Sequence, residues 1–127
     1  EDGHCIGAHT KNHPRLSSIS YERQLDEIVA SANELEALIN TKITSFAYPF
    51  GSVEAINKDS YEIVKNRFEF GFSNVRGMIN ESHSKYFIYR QNIVPQTPFW
   101  MVKAIIEGKI DLIHNKVRQK SKQEFSD

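Results

Sequence analysis

Polar and apolar positions alternate along this chain in two different periods, and the period switches several times. Cys5 to Ala8 is a short apolar run halted by the polar stretch from His9, which predicts a buried strand that delivers His9 to a loop at its C-terminal end. Ser20 then suits a helix N-cap with Glu22 in the first turn, and Leu25, Ile28, Val29, Ala32, Leu35, Leu38 and Ile39 recur at spacings of three and four. This spacing predicts an amphipathic helix. Ile43 to Tyr48 (ITSFAY) reads as a second strand, ended by Pro49 and Gly51, neither of which suits the interior of a ladder.

Asn57 can cap a shorter helix that carries Tyr61, Ile63, Val64 and Phe68, and FEFGFSNV beyond it has the aromatic and β-branched content of another strand. Residues 76 to 85 are a polar loop, and Tyr86 to Val94 is a further extended segment. Thr97 is expected to cap a last helix with Pro98 at its first position, packed through Phe99, Val102, Ile105 and Ile106 and stopped at Gly108. Residues 116–127 are polar and unpatterned, which predicts a frayed tail. There is no internal repeat.

Strands that alternate with helices predict an α/β fold with a parallel sheet, whose functional loops gather at the C-terminal ends of the strands. Two unusual motifs, HTKNHP and YPFG, both fall at such ends, so they are expected to share a site.

Composition narrows the function. With 127 residues, the chain is sized for one domain. Sixteen basic residues balance sixteen acidic ones, so no global field favours nucleic acid or an anionic membrane surface. The 39% apolar and 25% charged fractions are those of a soluble globular protein, and no run approaches the roughly 20 apolar residues of a membrane span. Cys5 is the only cysteine, which excludes an internal disulfide and a thiolate zinc cluster within the chain. No basic or apolar leader region opens the sequence.

His9 and His13 are candidate metal ligands, because imidazole is the commonest side-chain ligand for zinc and similar ions. A catalytic zinc takes three protein ligands, so the pair alone is incomplete. Pro14 disfavours helical geometry at His13, and Thr10 stands where a helical metalloprotease motif needs glutamate, so that reading fails. By spacing alone, a surface or hydrogen-bonded pair is the commoner case.

The words around the pair, GHCIGAHTKNHP and later FAYPFG, resemble the second and third motifs of the polysaccharide deacetylase family, the NodB-homology carbohydrate esterases. YRQNIVPQTPFW is similar to the C-terminal region of its envelope-polysaccharide members. The resemblance covers roughly residues 3 to 108. It implies a (β/α) barrel of the seven-stranded type, with residues 1–115 as its C-terminal part, and a metal-dependent hydrolase that removes N-acetyl or O-acetyl groups from a polysaccharide or envelope sugar.

By motif match His9 and His13 become the metal ligands, with zinc the expected ion, and Thr10 steadies their loop from behind. Pro49 and Gly51 would shape a turn in which the Phe50 N–H serves the oxyanion, while Tyr48 and Phe50 line the sugar groove or else fill the core. Arg90 is a further substrate-binding candidate, or a strand-edge ion-pair partner. His114, in DLIHNK, is a candidate general acid, although it more simply belongs to a surface helix. His83 and His4 read as ordinary loop histidines.

The family's first motif, an acidic pair that gives the third ligand and the catalytic base, has no counterpart here. Glu1 and Asp2 should lie at the opposite end of their strand from His9, and Ala47 replaces the arginine that steadies the base in many members. A complete barrel needs about 200 residues or more, so the catalytic acids are expected outside this sequence. The alternatives are a noncatalytic carbohydrate- or metal-binding remnant, or a half-barrel that pairs with another chain through its open sheet edge. The expected setting is the cell envelope, the periplasm or the extracellular space.

Overall fold

Phe46 and Gly71 lie side by side in the centre of a parallel two-stranded sheet, and the rest of the fold is arranged around that pair. In the computed structural model, residues 3–79, 83–110 and 114–125 are described. Strand β1 (Ser45–Ala47) pairs with β2 (Phe70–Phe72) in the register Ser45 to Phe70, Phe46 to Gly71 and Ala47 to Phe72. An extended segment joins each outer edge by a single parallel bridge, Ala8 to Phe46 on one side and Phe72 to Ile88 on the other. Four parallel segments thus follow one another in chain order, the sense that right-handed strand–helix–strand connections impose.

The predicted strands are present but shorter. Cys5 to Ala8 contributes only the Ala8 bridge, in which the Ala8 N–H donates to the Ser45 carbonyl (2.8 Å) and the Ala47 N–H to the Ala8 carbonyl (2.9 Å). In the third expected strand, Phe68 instead ends the preceding helix and is buried in the core.

The long helix runs as α1 (Tyr21–Leu25), a π-helical turn (Asp26–Ala30) and α2 (Ser31–Ile39). Ser20 caps it, accepting from the Arg23 N–H, and Asn40 ends it at φ 50, one of the few residues that tolerate the left-handed position. Inside the π-turn the Ser31 N–H reaches back five residues to the Asp26 carbonyl. One extra residue turns everything after it by about 100°, so the buried face that starts at Gln24, Glu27 and Ile28 continues at Ala32. The expected apolar face is therefore corrected: Leu38 is 82% exposed, Leu25 borders solvent, and Gln24 and Glu27 sit inside.

Helix α3 (Lys58–Arg67) starts at the predicted Asn57 with a full capping box, Asn57 Oδ1 accepting from the Ser60 N–H and Ser60 Oγ from the Asn57 N–H. It packs Tyr61, Ile63 and Val64 onto the sheet, where Phe46, Tyr48 and Phe87 complete the core.

Helix α4 (Phe99–Ile106) begins one residue later than expected. Pro98 is its N-cap, and the Thr97 hydroxyl turns back to accept from the Val94 N–H. Only Ile105 of its apolar residues is fully buried, whereas Phe99, Trp100 and Ile106 are exposed, so the expected packing of that face is not made among the described residues.

The expected tail is also corrected. Residues Asn115–Glu124 form helix α5, and Phe125 stacks on Phe87 with ring centroids 4.6 Å apart. The Ser121 hydroxyl meets the Tyr89 hydroxyl at 2.7 Å. Ser121 and Phe125 are four apart, one helical turn, which places both on the inner side of an otherwise polar helix.

Candidate functional site

The bridge at Ala8 and the end of β1 release two loops at the same end of the sheet, and these loops touch. The His9 and His13 rings lie edge to face with centroids 4.8 Å apart, and His13 meets Phe50 in the same way at 4.8 Å. HTKNHP and YPFG therefore share one place. Together with Tyr48, Asn74, Arg90, Gln91 and Asn92 they line an open cavity of about 330 Å³.

His9 Nδ1 lies 2.7 Å from the Ala47 carbonyl oxygen. A carbonyl can only accept, so Nδ1 carries the proton and the Nε2 lone pair is left available. Ala47 thus takes part here through its backbone carbonyl.

Both loops are strained. Among the described residues, four non-glycine residues have positive φ; besides the helix-ending Asn40 they are Thr10 (φ 63) and His13 (φ 54) in the first loop and Phe50 (φ 60) in the second. The left-handed region costs an ordinary residue roughly 1–2 kcal/mol, and most for β-branched threonine. Such strain gathers at functional sites, where surrounding structure holds it in place.

What holds the first loop is mostly side chain. The Thr10 hydroxyl accepts from the His13 N–H at 3.1 Å. Glu27 reaches up from the π-turn: Oε2 accepts from the N–H groups of Lys11 (3.0 Å) and Asn12 (2.8 Å), and Oε1 from the Asn12 amide (2.8 Å). Burial pushes the Glu27 carboxyl up, but the bonds from Asn12 and Lys11 and the Arg23 charge outweigh it and hold it below the ordinary range. Lys11 pairs with Glu34 at the exposed flank.

The second loop is held by backbone. The Gly51 N–H donates to the Pro49 carbonyl at 2.6 Å, which closes a three-residue turn over Phe50, and the Asn74 N–H donates to the Gly51 carbonyl at 2.8 Å. A Cβ on Gly51 would meet the Asn74 nitrogen at 2.5 Å, so only glycine fits. The Phe50 N–H has no hydrogen-bond partner among the described residues, and Phe50 is half exposed with the Arg15 guanidinium above its ring.

Other expected site residues separate into two groups. Arg90 is at the cavity, its Nε donating to the Ser73 carbonyl at 2.6 Å, so the bland ion-pair reading is replaced by a backbone anchor. Tyr48 forms part of the wall, but its phenol is buried, donates to the Tyr86 carbonyl at 3.0 Å and is driven well above its usual pKa by desolvation and by the charges of Tyr61 and Glu62. A groove role for that hydroxyl does not fit this placement, and the core alternative does.

His114 stands at the start of α5, outside the residues that line the cavity, and its apolar lead-in at 111–113 lies outside the described residues. His83 packs its ring against Tyr89. Glu1 and Asp2 also lie outside the described residues. Among the described residues no group of three or more His, Cys, Asp or Glu side chains comes together as a metal site.

Glu27, Asn74, Gln91 and Asn92 were not singled out in the sequence. The signal for Glu27 is an acidic residue beside Ile28 on the inward face of an amphipathic helix. The three polar residues carry none, because nothing local distinguishes a cavity wall from an ordinary loop.

No curated protein matches the chain significantly. Among solved structures it is similar to the Streptococcus pyogenes deacetylase PplD in complex with acetate, at 25% identity and a TM-score of 0.65, over 71% of this chain and 39% of that one. It also resembles BC0361, a polysaccharide deacetylase from Bacillus cereus, in fold, at 20% identity and a TM-score of 0.68, over 80% of this chain and 31% of that one. The chain thus spans well under half the length of either. A family model described as polysaccharide deacetylase matches residues 1–67, more than half of the 127. With its two histidines and its YPFG turn meeting at one sheet end, this chain belongs to the polysaccharide deacetylase family.

Proposed function

We propose that this chain supplies the two-histidine part of a metal-dependent deacetylase site, within a (β/α) barrel of the seven-stranded type, that removes N-acetyl or O-acetyl groups from a polysaccharide or envelope sugar. The observation that carries this reading is the His9–His13 pair on one cavity wall, with His9 Nδ1 tied to a backbone carbonyl. Such an outer hydrogen bond is what orients an imidazole for a metal and leaves its other nitrogen free to ligate. The donor set fits a divalent ion in part: two imidazoles are here, and the third ligand and catalytic base come from carboxylates beyond the described residues.

Zinc is the first choice, with other first-row divalent ions close behind, because imidazole and carboxylate donors discriminate poorly among them. When bound, the ion supplies Lewis-acid polarisation of the acetyl carbonyl and an activated water. The chain's own groups do the rest. The unpartnered Phe50 N–H stabilises the oxyanion that develops on the acetyl oxygen, and it does so cheaply because the turn already holds Phe50 in place. Arg90, Asn74, Gln91 and Asn92 give the cavity a polar wall suited to a hydroxyl-rich sugar, and the exposed Phe50 ring offers an apolar face for it.

Acetate release from an N-acetylglucosamine oligomer, measured on the full natural polypeptide, tests the reading. Release that is lost in His9→Ala, in His13→Ala and after chelation supports it; release that survives either substitution rejects it. A second reading, a noncatalytic carbohydrate-binding remnant, is favoured by the absence of a third ligating side chain among the described residues. Glycan binding to the same cavity without acetate release would select it. Self-association through the sheet edge at Ala8 is a further element of the proposal. Sedimentation that finds only monomer would remove it.

A further inference from the structure

The loop between the two histidines is strained at Thr10 and His13, and its middle has no ladder to hold it. Among the described residues, the backbone N–H groups of Lys11 and Asn12 both converge on one acceptor, the carboxylate of Glu27, which also takes the Asn12 amide. Glu27 is 1% exposed, an unusual place for a carboxylate without a cationic partner in bonding contact, and it is presented by a π-turn in an otherwise regular helix. An ionised carboxylate is purely an acceptor and can take all three donors. A neutral amide of the same shape would turn its own donors toward them.

We propose that Glu27 is a positioning residue for the histidine pair: its buried carboxylate fixes the loop between His9 and His13 so that both imidazoles face one cavity, and the π-turn aims it there. The inference rests on the reading of those histidines as metal ligands, but the placement it describes can be measured without metal. Glu27 lies within this turn beside Ile28, on the inner face that begins at Gln24 and continues at Ala32, so the segment that breaks the apolar register also carries the carboxylate.

The test compares the full natural polypeptide with its Glu27→Gln variant and with Ile28→Val, a neighbouring core change that touches no loop donor. Three quantities are read: through-space NMR contacts between the His9 and His13 rings, hydrogen exchange of the Lys11 and Asn12 amides, and zinc affinity by calorimetry. Glu27→Gln should abolish the ring contacts, speed both amides by about tenfold or more, and weaken histidine-dependent zinc binding by roughly 10–100-fold. Ile28→Val should leave all three as in wild type, whatever it does to the urea midpoint.

Ring contacts and amide protection that persist in Glu27→Gln, or that are lost equally in Ile28→Val, would overturn the proposal. If Glu27→Gln does not fold, Asn12→Ala, an exposed change that removes one of the three bonds, should give intermediate losses, and none at all would overturn it equally. Ring contacts that depend on Glu27 in a chain that binds no zinc would uphold the positioning and reject the metal reading. Histidine-dependent zinc binding that ignores Glu27 would do the reverse.

Discussion

The two turns that meet at the cavity reach the same left-handed backbone by opposite means. Between His9 and His13, side chains hold the strain: the Thr10 hydroxyl and the buried Glu27 carboxylate take the loop's free N–H groups. Between Pro49 and Gly51, backbone does it, through a closed three-residue turn and a glycine packed against Asn74. The first arrangement is electrostatic and responds to charge and pH. The second is steric and responds to a single added carbon.

The largest stability effect is therefore expected at Gly51. Gly51→Ala adds a Cβ where the Asn74 backbone already sits and forces a side chain into the left-handed region, for a combined loss of roughly 2–5 kcal/mol. Urea unfolding measures it, and an unchanged midpoint would mean that the turn is not built as described. Glu27→Gln comes next, at roughly 1–3 kcal/mol, because three donors of the first loop lose the charge of the buried acceptor they share.

Acid should separate the two turns further. The Glu27 pKa is lowered on folding, so its contribution is fully present above the ordinary glutamate range and is lost as pH falls through the lowered value. Glu22, Glu36 and Glu54 are shifted in the same direction by backbone, serine, arginine and lysine contacts, so wild type and variant share that part of the loss. The stability gap between wild type and Glu27→Gln should narrow as pH drops below about 4, whereas the gap for Gly51→Ala should hold. A Glu27→Gln gap that stays constant with pH would show that folding does not lower the Glu27 pKa.

Smaller effects sharpen the same contrast. Thr10→Ala removes one acceptor at an exposed loop and should cost about 0.5–1.5 kcal/mol. Leu38→Ala should stay within about 0.5 kcal/mol of wild type, because the π-turn has rotated that leucine out to solvent. A loss of core size at Leu38 would instead restore the uninterrupted helix that its spacing predicts.

Much of this was readable from sequence. The parallel α/β order, the Ser20 and Asn57 caps, and the convergence of HTKNHP with YPFG follow from periodicity and turn chemistry. The π-turn did not show, because an inserted residue leaves spacings of three and four intact and changes only which of them face inward. Helix α5 was hidden because its inward side is only Ser121 and Phe125, too few for an apolar stripe. The exposed face of α4 was misread for the converse reason: Phe99, Trp100 and Ile106 have the pattern of a buried face without a cover among the described residues. At the site, residues with their own chemistry were found, and Tyr48 shows the limit, since nothing in YPFG tells a phenol in the core from one in a groove.

Zinc titration of the full natural polypeptide by calorimetry, beside His9→Ala and His13→Ala, tests the central claim most directly. The account predicts one binding event per chain that is lost in both variants while their folding is unchanged. No binding to the wild-type chain, or binding that survives either substitution, would contradict it.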